Sequence, residues 1–140
     1  MPVELTQEMR DAFDNALKDG APVLIASASA TGMPDIAFKG SAMVWDKDHV
    51  AFWERARGTT MRNLEENGQA CLLYRNIQTR VAWKFFGTAE VMQEGPLRDE
   101  IMARTTPIEL DRDPDRKGAA VLIRIDRVVQ GPNVLMQRDD

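Results

Sequence analysis

The sequence of 140 residues contains a single cysteine, Cys71, and a single histidine, His49. One cysteine excludes an internal disulfide and a Cys-x-x-Cys redox pair, and the two residues together are too few for a Cys/His zinc site. Cys71 stands between Ala70 and Leu72 in an apolar run, which is typical of a small buried side chain rather than an activated thiol. We therefore expect any redox chemistry to depend on a bound cofactor.

Long apolar runs and an excess of positive charge are also missing. No stretch approaches the ~20 apolar residues that a helix needs to cross a bilayer. The amino-terminal segment lacks the basic region and apolar core of a signal peptide. Eighteen Lys and Arg against 22 Asp and Glu give a net charge of -4, which disfavours binding to a polyanion. These features predict a cytoplasmic protein that binds neither a membrane nor a nucleic acid.

The composition, 44% hydrophobic and 29% charged, predicts one globular domain over residues 1–140. Hydrophobic periodicity predicts helices over 6–18 and 60–66, and a third that begins at Gly95-Pro96 and ends at Thr105-Thr106-Pro107. Six strands are predicted over 22–28, 35–45, 49–55, 70–75, 80–92 and 121–126. Hairpin-length turns join most of these strands, which favours an antiparallel arrangement. The fold class is therefore mainly β with short helices, and the charged run 109–118 is interpreted as a solvated loop.

The most informative segment joins the end of a strand to the start of a helix. Arg55, Arg57 and Arg62 lie close together there, around Gly58-Thr59-Thr60, in a chain of net negative charge. Free N–H groups at the helix start, threonine hydroxyls and guanidinium groups together can bind a phosphate. Alternatively, one threonine caps the helix and the arginines are solvated. The residues alone support both interpretations equally. Rossmann, P-loop, zincin and hydrolase motifs are absent.

From about Pro22 to Met92, half of the chain, the sequence resembles the pyridoxamine 5'-phosphate oxidase-like family of FMN-binding split barrels. The resemblance is carried by short segments in the same order and with nearly gapless spacing: Gly32-Met33-Pro34, Phe38 to Val44, Val50 to Trp53, Gly58 to Asn67, Ala70 to Tyr74 and Phe86 to Glu90. It implies a six-stranded antiparallel split β-barrel with flanking helices. The whole chain would then form a single FMN-binding domain.

The resemblance also implies where the flavin lies. Residues 39–41 would run along its polar pyrimidine edge, with Trp53-Glu54-Arg55 on the neighbouring strand. Residues 58–60 fall where the family places a Ser-Arg-Lys phosphate clamp, so two hydroxyls replace two cations, and Lys39, Arg55 or Arg57 would supply the missing charge. Phe38 stands where the full oxidase has an arginine. The predicted cofactor-binding residues are Lys39, Gly40, Ser41, Trp53, Glu54, Arg55, Arg57, Gly58, Thr59 and Thr60.

As a member of this family, the protein would be a flavin-dependent oxidoreductase with FMN as its cofactor. The resemblance implies a homodimer with the flavin at the subunit interface, where residues around Arg80 to Lys84 come from the partner. A small-molecule substrate or an electron donor such as a nicotinamide nucleotide would react at the flavin. Neither a catalytic residue nor a metal ligand is predicted, because the chain has no candidate nucleophile. Pyridoxamine phosphate is not the expected substrate, since no counterpart of the oxidase's carboxyl-terminal substrate segment follows Gln130-Gly131-Pro132.

Two other functions remain open from the sequence. The same barrel could carry a deazaflavin, whose longer acidic tail would require more cations around residues 55–62 and in nearby loops. It could instead be a non-catalytic binder, either a flavin store or sensor or a tetrapyrrole-binding protein with His49 as the one imidazole able to ligate haem. Trp53, Trp83, Phe85 and Phe86 are candidates to line a pocket. Core packing is the more frequent role for each of these aromatic residues.

Overall fold

The computed structural model describes residues 2–139. This part of the chain contains four helices and eight strands. In chain order they are α1 Gln7–Asp14, β1 Leu24–Ala28, β2 Pro34–Phe38, β3 Met43–Val44, β4 His49–Glu54, α2 Thr59–Glu66, β5 Gln69–Asn76, β6 Val81–Met92, α3 Pro96–Arg104, α4 Pro107–Leu110, β7 Ala119–Gln130 and β8 Asn133–Gln137. The longest helix, α3, has nine residues, and none of the helices described has the length and apolar character of a membrane span.

The eight strands form one antiparallel sheet in the order β2-β1-β5-β6-β7-β4-β3, with β8 paired to β7. The two ends of this order, β2 and β3, follow each other in the chain and are joined by residues 39–42 alone. Such a link spans at most about 17 Å even when fully extended. The sheet must therefore curl until its two end strands approach each other. This split barrel, mainly β with short flanking helices, confirms the predicted fold class.

The core fills the inside of the curled sheet. Phe52, Leu72 and Phe85 are completely buried there, as are alternate residues of β7. Helix α1 covers one opening, because the ring of Phe13 meets the edge of Phe85 at 5.2 Å between ring centres. Burying each such side chain stabilises the fold by about 1.5–3 kcal/mol. The predicted amphipathic helix over 6–18 is correct in its covering role, although it ends at Asp14.

The prediction of one strand over 35–45 is wrong. β2 ends at Phe38 and β3 begins at Met43, with a turn between them that is closed by a hydrogen bond from Ala42 N to Lys39 O. The Ser41 hydroxyl accepts from Trp53 N at 2.9 Å and donates to Trp53 O at 3.1 Å. A side chain thus occupies the positions that a continuous strand would fill with backbone groups. This interruption, together with the unpredicted β8, raises the strand count from six to eight.

The interpretation of residues 109–118 as a solvated loop is also wrong in part. The segment begins within α4, and Asp113 is only 8% exposed. Its carboxylate accepts hydrogen bonds from the backbone N–H groups of Lys117 and Gly118, so the loop folds around this side chain. The charged residues on either side of it are largely exposed, as expected. The loop therefore has a fixed conformation and packs against the end of β4.

Candidate functional site

A cleft of about 770 Å³ lies between the β2–β3 turn, the end of β4 and helix α4. This volume falls within the range of roughly 300–1,000 Å³ that small-molecule sites occupy. Its apolar lining consists of Leu17, Pro22, Phe38, Trp53, Ala56 and Ile108. Its other lining residues are Lys18, Lys39, Gly40, Ser41, Glu54, Arg55, Glu109 and Arg112. An apolar surface with a few charged groups suits a planar ligand that carries polar edges.

A buried ion pair forms one wall of the cleft. The Lys39 ammonium lies 2.7 Å from Glu54 Oε1, and the Glu54 side chain is only 1% exposed. The other carboxylate oxygen of Glu54 accepts from Arg57 N at 3.0 Å. The Lys39 ammonium also lies 5.4 Å from the centre of the Phe52 ring. Removing either partner would leave an uncompensated buried charge, so the pair holds β4 and the β2–β3 turn in a fixed relation.

Trp53 is held on three sides. Beside its backbone bonds to Ser41, its indole N–H donates to Asp113 Oδ2 at 2.9 Å, and the Arg98 guanidinium stacks 4.8 Å from the ring centre. Gly118 fits against the same ring, because a Cβ at that position would come within 2.8 Å of Trp53 Nε1 and of Glu54 O. Trp53 thus joins the cleft wall to the loop that follows α4.

The carboxylate of Asp113 is the acceptor at the centre of that loop. Burial by itself raises the pKa of this group, but three hydrogen bonds and the nearby Arg116 guanidinium outweigh it. The donors are the N–H groups of Lys117 and Gly118 and the indole of Trp53. The pKa of Asp113 therefore lies below its ordinary value, and the carboxylate is ionised at neutral pH.

A second ion pair crosses the mouth of the cleft. Arg55 Nε lies 3.7 Å from Glu109 Oε2, and the Arg55 side chain is 42% exposed. The other oxygen of Glu109 rests directly on Gly40, in the space that a Cβ would occupy. A Cβ at residue 40 would therefore push the end of the flexible Glu109 side chain out of this position. This contact brings helix α4 onto the β2–β3 turn.

The predicted phosphate corner lies beyond the cleft, at the start of α2. The helix begins after Gly58, and no side chain caps it, so the capping interpretation of the two threonines is not observed. Thr60 is buried, and Thr59 Oγ1 accepts from Arg62 Nη2 at 3.1 Å. The guanidinium of Arg57 instead donates to Lys117 O and to Gln93 Oε1. Arg57 is thus committed to protein groups.

The structure divides the predicted cofactor-binding residues into two groups. Lys39, Gly40, Ser41, Trp53, Glu54 and Arg55 line one cleft, whereas Arg57, Gly58, Thr59 and Thr60 follow it and do not line it. Sequence reasoning missed the contribution of Glu109 and Arg112, because the charged run 109–118 was interpreted as solvated, and it also missed Ile108, which directly precedes that run. The one signal in that segment is Ile108 and Leu110, two apolar residues at the edge of the run.

Only one of the four candidate pocket aromatics, Trp53, lines the cleft. Trp83 and Phe85 belong to the buried core, where the Trp83 ring stacks on Tyr74 at 5.3 Å between centres. Phe86 is half-buried beneath the Arg127 guanidinium, at 4.5 Å from the ring centre. Core packing is thus the role of most of these side chains, as expected.

The single cysteine and the single histidine lie outside the cleft lining. Burial raises the pKa of the Cys71 thiol, and the nearby charges of Lys84 and Arg127 offset this only partly, which agrees with an unactivated thiol. His49 Nδ1 lies 2.9 Å from one carboxylate oxygen each of Asp46 and Asp48. Asp46 and Asp48 belong to the acidic turn before β4, and His49 is the first residue of that strand.

The sequence profile of the family described as Pyridoxamine 5'-phosphate oxidase matches residues 9–129 of the chain. The comparison of this chain with curated proteins found no match. Among solved structures, HupZ of group A Streptococcus is 26% identical with a TM-score of 0.72, covering 90% of this chain and 93% of that one. A putative pyridoxamine 5'-phosphate oxidase from Lactobacillus delbrueckii is 24% identical with a TM-score of 0.73 and the same coverages.

The fold also occurs in proteins whose names refer to FMN, F420 or haem. An FMN-binding protein from Syntrophomonas wolfei is 15% identical with a TM-score of 0.70, covering 86% of this chain and 82% of that one. An F420 reductase is 13% identical with a TM-score of 0.59, covering 78% of this chain and 89% of that one. The haem storage protein HutZ of Vibrio cholerae is 16% identical with a TM-score of 0.69, covering 94% of this chain and 96% of that one. Likeness at this level of identity shows the fold alone.

Proposed function

Because the chain belongs to the pyridoxamine 5'-phosphate oxidase family, we propose that it binds FMN and acts as a flavin-dependent oxidoreductase on a small molecule. The observation that carries this proposal is the cleft between the β2–β3 turn and the end of β4. It brings six of the residues that the resemblance assigns to the cofactor onto one surface.

The cleft fits the ring system of a flavin. Trp53 and Phe38 supply an apolar surface, and the backbone of residues 39–41 supplies polar groups for the pyrimidine edge. The buried Lys39–Glu54 pair keeps this edge of the cleft rigid, so its backbone needs little rearrangement, and only the Glu109 side chain that rests on Gly40 has to move. When bound, the flavin supplies the two-electron chemistry, and the protein supplies its binding, orientation and exclusion of water.

The phosphate of FMN is proposed to bind at the start of α2. The first-turn N–H groups there have no side-chain cap, and they form the positive end of the helix dipole. The Thr59 hydroxyl is exposed and already bonded to Arg62, which adds a cation to this corner. Arg55 and Thr59 are only four residues apart, at most about 14 Å. A single ligand can therefore lie across both the cleft and the helix start.

A homodimer is the proposed assembly, with the flavin between the subunits. Ile36 and Phe38 are 63% and 68% exposed on β2, a strand with only one partner in the sheet order. Phe38 also lines the cleft, so a second copy seated on this apolar face would close the open side of the site. The segment 80–84 of the partner is proposed to contribute to it.

The hydrogen bonds of Arg57 favour FMN over a deazaflavin at the corner formed by residues 55–62. A deazaflavin with a long acidic tail needs several free cations near residues 55–62, but the guanidinium of Arg57 is occupied by Lys117 O and Gln93. A haem ligated by His49 is disfavoured too, because that imidazole lies between Asp46 and Asp48 and does not line the cleft. Titration with FMN, a deazaflavin and haem in parallel separates these cofactors.

The first experiment identifies the small molecule that purified protein releases, by mass spectrometry. FMN in the released fraction, or uptake of added FMN with a bleachable yellow absorption, supports the proposal. Protein that neither retains nor takes up FMN contradicts it. Flavin that is never reduced by nicotinamide or other donors would instead assign a storage or sensing role.

The second experiment compares FMN with riboflavin, which has the same ring and no phosphate. Thr59→Val and Arg62→Met should weaken FMN binding by about tenfold each, since charge-assisted hydrogen bonds are lost, and leave riboflavin binding unchanged. Arg75→Met, at an exposed arginine of β5, is the matched control. Equal losses for both flavins would place the phosphate elsewhere.

A further inference from the structure

The mouth of the cleft carries more positive than negative charge. Lys18, Arg55 and Arg112 line it, with Glu109 as the one carboxylate beside them. Within residues 2–139, Arg55 is paired with Glu109, and no carboxylate lies within ion-pair distance of Lys18 or Arg112. Glu54 does not balance them, because its carboxylate is already held by Lys39 and by Arg57 N. The mouth therefore attracts an anion.

The two ion pairs of the cleft differ in how firmly they are held. The Lys39–Glu54 pair is 2.7 Å long, nearly buried, and fixed by a backbone hydrogen bond. The Arg55–Glu109 pair is 3.7 Å long, one partner is 42% exposed, and Glu109 stands on the four-residue helix α4. An exposed pair of this kind is worth about 1 kcal/mol or less. Displacing Glu109 from Arg55 is therefore a low-cost change.

We propose that Glu109 is an internal occupant of the cleft, and that a second ligand bearing a phosphate or carboxylate group displaces it from Arg55. That anionic group is held by Arg55 and Arg112, with Lys18 beside them. Glu109 then leaves its seat on Gly40 and opens the surface beneath it. Glu109 is thus a specificity-determining residue, because a ligand with a negative group recovers at Arg55 the ion pair that it displaces. A neutral ligand of the same shape has to displace Glu109 without this gain.

This inference rests on the proposed function only in that the second ligand is the substrate or donor that lies beside the flavin. The Glu109 displacement itself is measurable with inorganic pyrophosphate as the probe, with or without FMN. Protein that takes up no flavin contradicts the proposed function, while the titration of the flavin-free protein still decides the role of Glu109. The two failures are therefore distinguishable.

The test follows amide signals by NMR while pyrophosphate is added to wild-type protein and to Glu109→Gln, Arg112→Met and Asp111→Asn. Asp111 is an exposed carboxylate in the same segment, so its variant makes the same change of charge outside the cleft. Signals of residues 55, 109 and 112 should move in the wild type. Glu109→Gln should tighten pyrophosphate binding about fivefold, Arg112→Met should weaken it about fivefold, and Asp111→Asn should change it less than twofold.

Succinate is titrated in parallel, since phosphorylated and carboxylic ligands share the required chemistry, and the tighter probe identifies the class. The proposal is overturned if Glu109→Gln and Asp111→Asn act alike, because general charge would then explain both. It is overturned equally if neither probe moves the cleft signals, or if only signals of the first turn of α2 move. The amide spectrum of each variant also reports that it is folded.

Discussion

The indole N–H of Trp53 and the carboxylate of Asp113 are joined by a 2.9 Å hydrogen bond across sixty residues of chain. Trp53 lines the cleft, whereas Asp113 belongs to the run 109–118, in which seven of ten residues are charged. The wall of the proposed flavin site thus depends on a loop whose composition alone indicates a solvated segment.

Replacing Asp113 by alanine should therefore destabilise the protein. The change leaves three buried or half-buried N–H donors without their acceptor, which we expect to lower the free energy of unfolding by about 3 kcal/mol. Urea denaturation measures the loss. Asp115→Ala, at an exposed position in the same loop, is the control and should cost less than about 0.5 kcal/mol. Equal costs would mean that the loop does not support β4.

The same carboxylate should make stability depend on pH in one direction. The pKa of Asp113 is lower in the folded protein than its ordinary value of 3.8. The contribution of the carboxylate is therefore complete above about pH 5 and is lost as the pH falls through the folded pKa. The advantage of the wild type over Asp113→Asn should be constant from about pH 5 to 7 and shrink below about pH 4. An advantage that grows on acidification would contradict this assignment.

The exposed apolar face of β2 should be a subunit contact. Ile36→Glu places a charge in the proposed interface, so we expect it to convert a dimer into a monomer in sedimentation and to weaken FMN binding. Val134→Glu is the control, because Val134 is an apolar residue of β8 that is 45% exposed and belongs to neither β2 nor the segment 80–84. A monomeric wild type, or a variant of Ile36 that remains dimeric, would argue against this interface.

The contact between Gly40 and Glu109 should appear as energetic coupling. Gly40→Ala forces the carboxylate from its seat, and we expect a loss of about 1–2 kcal/mol in unfolding free energy. In a Glu109→Ala background the same change meets chiefly the Leu17 side chain at 3.2 Å, so its cost should fall by about 1 kcal/mol. Strictly additive costs would show that the two residues do not touch in solution.

The split barrel was predictable from the sequence because its evidence is local. Alternating apolar residues, hairpin-length turns and the ordered segments of the family resemblance all point to the same antiparallel arrangement. The amphipathic pattern of α1 identifies its covering face for the same reason. The resemblance also predicted six of the residues that line the cleft, because it assigns positions on the neighbouring strands to the cofactor.

The features that escaped prediction depend on contacts between distant parts of the chain. Ser41 lies between the apolar segments 36–38 and 42–45, and only its bonds to the backbone of Trp53 show why the strand is interrupted there. The burial of Asp113 depends on an indole donor sixty positions away. Arg57 is a residue type that often binds phosphate. Its guanidinium nevertheless donates a hydrogen bond to the carbonyl of Lys117, in the loop after α4. No local pattern encodes these partners.

The acidic turn at residues 46–48 forms hydrogen bonds with segments near both ends of the described chain. Leu5 N donates to Lys47 O at 2.6 Å, and Arg138 Nη2 donates to Asp48 Oδ2 at 3.1 Å. A pulling force applied between residues 5 and 138 would therefore act first on the contacts of this turn. Little of that force would reach the central strands of the sheet. In single-molecule stretching the terminal segments should detach before β5, β6 and β7 separate. Handles attached at either end would accordingly leave the cleft mechanically undisturbed at low force.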